Sequence, residues 1–130
     1  LSEGGKIFYV APSGGRDRKN TAGKIEVAPL DPNIMEMIYL MAKKSQKKTY
    51  FYPLTLDTYE VMPPPLQVEK EIGEERFVAK APIQLAFGQQ IPMEESAAEI
   101  TDKFTKRQKR AAYIWQIINN TYQQLKEIRT

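Results

Sequence analysis

Ile7-Phe8-Tyr9-Val10-Ala11-Pro12-Ser13-Gly14-Gly15-Arg16-Asp17-Arg18-Lys19 is an apolar run that stops at a proline and opens into a glycine–arginine loop. The β-rich start predicts a strand over about Lys6–Ala11, followed by a polar loop over Pro12–Gly23. Gly14 and Gly15 can take a left-handed backbone and let a ligand approach the main chain closely. Arg16 and Arg18 carry permanent charge on planar forks that match phosphate or carboxylate oxygens two at a time. A loop of this kind at the rim of a sheet is a candidate anion site. The same residues also suit a plain surface turn, with the arginines solvated and Asp17 as their ion partner.

The rest of the composition narrows the chemistry. The 130 residues suffice for one domain, and 42% hydrophobic with 27% charged content is that of a globular chain. A net charge of +3 is too weak to imply nucleic acid by itself. With no cysteine there is no disulfide framework and no thiolate nucleophile or metal ligand. With no histidine the commonest general base and metal ligand are also missing. No apolar run approaches the roughly 18–20 residues of a membrane span. The opening Leu1-Ser2-Glu3-Gly4-Gly5 has no initiator methionine and leads straight into the first strand, so the chain reads as a piece of a longer protein.

Working outward, Lys24–Val27 reads as a short extended piece. Asp31-Pro32 reads as a helix start with an aspartate cap and proline in the first turn. Ile34, Met35, Met37, Ile38 and Met41 give that helix an apolar face up to about Lys44, with Lys43, Lys44, Lys47 and Lys48 as a solvated C-terminal end. Thr49–Leu56 is a strand interrupted at Pro53, and Met62-Pro63-Pro64-Pro65 is rigid and extended. Gln67–Ile72 and Arg76–Phe87, separated by Gly73-Glu74-Glu75, predict a β-hairpin whose second arm is disturbed at Pro82. A short helical segment follows at Glu94–Ile100, then a long helix from about Asp102 to Ile128. Its face carries Phe104, Ala111, Ile118 and Leu125, filled in by Ile114, Trp115, Thr121 and Tyr122. Lys106-Arg107-Gln108-Lys109-Arg110 is the densest positive cluster and reads as a solvated helix face. The expected fold is α/β: part of a mixed β-sheet flanked by helices, with a β-hairpin and a long C-terminal helix. Residues 6–91 form the sheet-rich part and 92–130 the C-terminal helices of one domain.

Val10-Ala11-Pro12-Ser13-Gly14-Gly15-Arg16-Asp17-Arg18, Ala28-Pro29-Leu30-Asp31, Met62-Pro63-Pro64-Pro65 with Gln67-Val68-Glu69, and Glu71-Ile72-Gly73-Glu74 occur in that order. Together they resemble the soluble, plastid-type glycerol-3-phosphate acyltransferases, from about Ile7 to Gly88. The resemblance implies transfer of a fatty acyl group from acyl-carrier protein or acyl-CoA to the 1-hydroxyl of glycerol 3-phosphate. It implies that Arg16 and Arg18 hold the substrate phosphate, and that Ser13, Gly14 and Gly15 lie close to the acceptor. Pro63, Pro64 and Pro65 would then shape the site wall. It implies no metal and no organic cofactor. The expected setting is soluble, in a bacterial cytoplasm or plastid stroma, with peripheral membrane contact allowed and no nucleic-acid partner.

The family's His-x-x-x-x-Asp motif cannot occur in a chain without histidine. The resemblance therefore implies the C-terminal portion of the enzyme, holding part of the acceptor site and none of its acid–base chemistry. Such a portion is expected to leave a sheet edge open, and to pair with the upstream half or with itself. Two other readings start from the same residues. One is a basic anion- or nucleic-acid-binding module built on Lys106–Arg110, Arg16 and Arg18. The other is a structural piece with no ligand of its own.

Overall fold

The computed structural model describes residues 1–13, 15–64, 77–94 and 101–129. The molecule is α/β, as expected. Among the described residues the strands form two small antiparallel pairs, and the dominant element is a long C-terminal helix.

The first pair joins β1 (Arg18–Lys19) to β2 (Ile25–Glu26), with Arg18 opposite Glu26 and Lys19 opposite Ile25. Asn20 builds the turn between them. Its backbone N–H donates to the Lys24 carbonyl at 2.8 Å, and its side-chain oxygen accepts from the Ala22 and Lys24 N–H groups at 3.0 Å each. Gly23 closes the turn at φ 76°, the left-handed region that glycine enters without a Cβ penalty.

The helix α1 (Pro32–Lys44) starts where the sequence places it. The Asp31 carboxylate accepts from the N–H groups of Asn33 at 2.8 Å and Ile34 at 3.3 Å, two donors the helix cannot satisfy internally. Asp31→Ala is expected to lower stability by about 1 kcal/mol. Urea unfolding followed by helical circular dichroism measures this, and an unchanged midpoint would remove the cap from the account. The inward face of α1 is narrower than expected. Met35, Tyr39 and Ala42 are buried, whereas Met37 and Met41 face solvent.

The second pair joins β3 (Leu54–Asp57) to β4 (Gln84–Phe87), from Leu54 opposite Phe87 to Asp57 opposite Gln84. The strand expected from Thr49 begins only after Pro53, which has no N–H to give a ladder. Backbone contact continues upstream, with Gly88 N–H to the Pro53 carbonyl at 3.0 Å and Ile91 N–H to the Phe51 carbonyl at 2.8 Å. A Cβ at Gly88 would lie 2.6 Å from the Pro53 ring, so this approach needs glycine. The first arm and turn of the expected hairpin, over 67–75, lie outside the described residues. So does most of the expected helical segment Glu94–Ile100.

Last comes α2 (Lys103–Arg129), which packs against α1, β3 and β4. The Asp102 carboxylate accepts from the Thr105 N–H and hydroxyl at 2.7 Å each, which holds its pKa below the usual value. Leu30, Met35, Tyr39, Ile91, Met93, Ala111 and Ile114 form the core, with Phe51, Trp115 and Ile118 against it. Phe104, expected on the apolar face, is exposed. One stripe of α2 also covers the free edge of β2. Trp115 donates to the Val27 carbonyl at 2.9 Å, Asn119 accepts from the Val27 N–H at 3.3 Å, and Gln123 donates to the Ile25 carbonyl at 3.0 Å. Spaced four apart, these side chains take the place of a neighbouring strand.

The strand expected over Lys6–Ala11 does not form, and Ile7, Phe8, Tyr9 and Val10 are exposed. Aromatic and β-branched residues favour a strand only where an edge is present to pair with, because their preference comes from packing on neighbours.

Candidate functional site

The glycine–arginine loop is held at both ends. At its entry Ser13 bridges to Leu30, and the Asp31 N–H donates to the Pro12 carbonyl at 2.8 Å. The residues that cap α1 therefore also anchor the loop. At its exit the chain enters β1. Between the two, the Ser13 hydroxyl contacts the Gly15 carbonyl at 3.5 Å. Gly15 is exposed and shows no left-handed φ, and a Cβ there would meet nothing within 4 Å. Its expected conformational role is therefore absent, although the space beside its main chain is open. Gly14 lies outside the described residues, as does Pro65.

Arg16 crosses the molecule. Its guanidinium donates to the Met62 carbonyl, 46 residues further on, directly before Pro63 and Pro64. The arginine loop and the proline block, far apart in sequence, thus meet in space. Arg16 and Arg18 are both partly buried. Asp17 does not serve simply as ion partner to its neighbours, because its Oδ1 accepts the Ala28 N–H at 2.9 Å. Burial raises the Asp17 pKa. The Ala28 hydrogen bond opposes this, the Asp57 charge adds to it, and the Lys126 charge opposes it.

Those last two charges belong to a cluster that sequence reading did not find. Asp57, at the end of β3, is completely buried. Lys126 lies 3.0 Å from one of its oxygens and Arg129 3.1 Å from the other, both from the last turns of α2. Arg129 also pairs with Glu60 at 2.9 Å and donates to the Pro82 carbonyl at 2.9 Å. Tyr122 is buried beside this group, and burial followed by the Asp57 charge pushes its phenol above the usual range. The only sequence signal for the cluster is an aspartate ending an apolar strand, with its partners about seventy residues away.

A second cationic feature lies elsewhere, between α1 and the start of α2. A groove of about 470 Å³ is lined by Lys43, Lys103, Lys106, Arg107 and Arg110 together with Glu36 and Glu94, over Tyr39 and Leu40. None of these residues belongs to the arginine loop. Lys43 pairs with Glu94 at 3.0 Å. Arg110, expected on a solvated face, is instead 2% exposed, paired with Glu36 and bonded through Nε to the Met93 carbonyl at 2.8 Å. Among the described residues no group of three or more acidic, histidine or cysteine side chains is placed to hold a metal ion. No described helix is long and apolar enough to cross a membrane.

No family model matches the chain. Curated proteins do match it. It is 32% identical over 124 residues to the chloroplastic glycerol-3-phosphate acyltransferase of Arabidopsis thaliana, covering 95% of this chain and 27% of that protein. The protein of the same name from Carthamus tinctorius is 30% identical over 131 aligned residues, covering 100% of this chain and 28% of the relative. The one from Pisum sativum is 40% identical over 80 residues, covering 61% of this chain and 18% of the relative. The chain thus spans about a quarter of the length of the first of these relatives. Along nearly all of its own length, the sequence is similar to part of the chloroplastic glycerol-3-phosphate acyltransferases.

Proposed function

We propose that this chain is the C-terminal, acceptor-binding portion of a plastid-type glycerol-3-phosphate acyltransferase. In this reading Arg16 and Arg18 grip the phosphate of glycerol 3-phosphate, with Ser13 and the open main chain at Gly15 beside it. Pro63 and Pro64 form part of the wall. The observation that carries the reading is the bond from Arg16 to the Met62 carbonyl, which brings the two blocks of the resemblance to one place. The printed names of the relatives support the activity.

The clamp has a definite task in such a transfer. The acceptor hydroxyl attacks the thioester carbonyl, its proton passes to a base, and the thiol leaves. Holding the phosphate remote from the reacting oxygen fixes that oxygen's approach. The base lies outside this chain. The donor would be acyl-carrier protein or acyl-CoA, both anionic, and the cationic groove beside α2 suits a partner of that charge. The exposed Ile7–Val10 segment, with Phe77, Val78 and Phe87, supports contact with the upstream half or a second copy. The relatives are chloroplastic, which supports the plastid stroma as the setting.

Steady-state kinetics of the full-length protein test the clamp. Arg18→Ala and Arg16→Ala are each expected to raise KM for glycerol 3-phosphate while kcat changes little. Charge-assisted hydrogen bonds of this type are worth about 1.5–3 kcal/mol, or roughly 10- to 150-fold. Arg18→Lys should recover only part, because it loses the fork. Arg16→Ala also cuts the tie to Met62, so the Arg18 variant is the cleaner measurement. An unchanged KM in both alanine variants overturns the assignment.

A further inference from the structure

We infer that Asp17 is the positioning residue of the arginine pair: its carboxylate accepts the Ala28 N–H and so fixes the main chain between Arg16 and Arg18. The inference rests on the reading of Arg16 and Arg18 as phosphate ligands.

The argument begins with the register of β1 and β2. Arg18 stands opposite Glu26, so continuing the antiparallel pairing would put Arg16 opposite Ala28. The ladder does not continue. Ala28 is 7% exposed, and its buried N–H, which needs an acceptor, takes the Asp17 side chain at 2.9 Å instead of a backbone carbonyl. This ends the strand pair one step early. It frees the segment around Arg16, whose guanidinium then reaches the Met62 carbonyl. Holding residue 17 in this way fixes the main chain from which Arg16 and Arg18 extend. The Asp17 carboxylate also feels Asp57 from β3 and Lys126 from α2, so the loop is coupled electrostatically to the buried cluster at the end of the long helix.

A carboxylate whose purpose was to neutralise its arginine neighbours would compete with an anion for them. One committed to a backbone N–H instead fixes the main chain that carries them. The role then depends on where the acceptor oxygen sits, more than on its charge. Asparagine retains such an oxygen, alanine does not, and glutamate moves it by a methylene.

The experiment is a kinetic comparison in the full-length protein with glycerol 3-phosphate as the varied substrate. Asp17→Ala and Asp17→Glu are each expected to raise KM about tenfold with kcat within about twofold, the size of a small misplacement of a positioning group. Asp17→Asn should stay close to the parent. Adding Asp17→Ala to Arg18→Ala should cost much less than the product of the two single effects, because one residue acts through the other. If Arg18→Ala leaves KM unchanged, the clamp itself is wrong. If Arg18→Ala raises KM while Asp17→Ala and Asp17→Glu do not, the clamp stands and the positioning role fails. Equal losses in kcat and KM that multiply with Arg18→Ala would reduce Asp17 to a purely structural residue and overturn the inference. Should Asp17→Ala not fold, the contrast between glutamate and asparagine decides alone.

Discussion

Arg110→Ala is expected to lower the stability of this chain by about 3–5 kcal/mol, the range for breaking a buried ion pair by removing one partner. Arg110 is 2% exposed and joins three parts of the core. Its guanidinium pairs with Glu36 of α1, its Nε donates to the Met93 carbonyl at 2.8 Å, and its Cζ lies 4.3 Å from the centre of the Tyr39 ring. Removing it leaves the mostly buried Glu36 carboxylate without its ion partner, takes away the bond to the Met93 carbonyl, and strips one face of Tyr39. Urea slopes for small proteins are about 1–3 kcal/mol per molar, so the unfolding midpoint should fall by roughly 1–3 M or more. Fluorescence of Trp115, the single tryptophan, follows the transition. Arg110→Met combined with Glu36→Leu should recover much of the loss, since an apolar pair of similar volume often replaces a buried ion pair at little cost. A midpoint for Arg110→Ala close to the parent's would show that the pair adds nothing net.

The reading of Arg110 also marks where sequence reasoning ended. Lys106–Arg110 is a run of charge, and such a run indicates a solvated face without giving the angle of each member. Arg110 falls one turn before Ile114, at the border of the apolar stripe, and that spacing was the available signal. Its partners on α1 and beside Met93 had none. By contrast, Asp31-Pro32 located the start of α1 because a cap and a first-turn proline are local chemistry. The seven-residue spacing of Phe104, Ala111, Ile118 and Leu125 similarly located α2 to within a residue at each end. Ile7–Val10 failed as a strand because strand formation depends on a neighbouring edge, which a local pattern cannot report. At the site, the arginine loop and proline block were legible as words in a resemblance. Their meeting through Arg16 and Met62, and the diversion of Asp17 onto Ala28, depended on register and long-range packing.

This chain by itself is expected to give no measurable acyl transfer. The transfer needs a base within hydrogen-bond reach of the acceptor hydroxyl, and positioned general bases contribute about 10²–10⁴-fold. The sequence contains no histidine. The groups that remain are poorly suited to replace it. Asp17 accepts the Ala28 N–H, Asp57 is buried between Lys126 and Arg129, and Glu36 is paired with Arg110. Burial pushes the Tyr39 and Tyr122 phenols up, so neither ionises near neutral pH. Lys43 is held protonated by its hydrogen bond to Glu94, and Lys48 by its contact with Tyr50. On the proposed reading, what the arrangement retains is a pair of arginines on an anchored loop, suited to position a phosphate without moving a proton. Incubating the purified chain with labelled glycerol 3-phosphate and an acyl thioester tests this directly. The expected result is product at the uncatalysed level, with turnover appearing only in the full-length protein. Sustained formation of the acylated product by the chain alone would mean that one of these engaged groups serves as base, and the division between clamp and base would have to be abandoned.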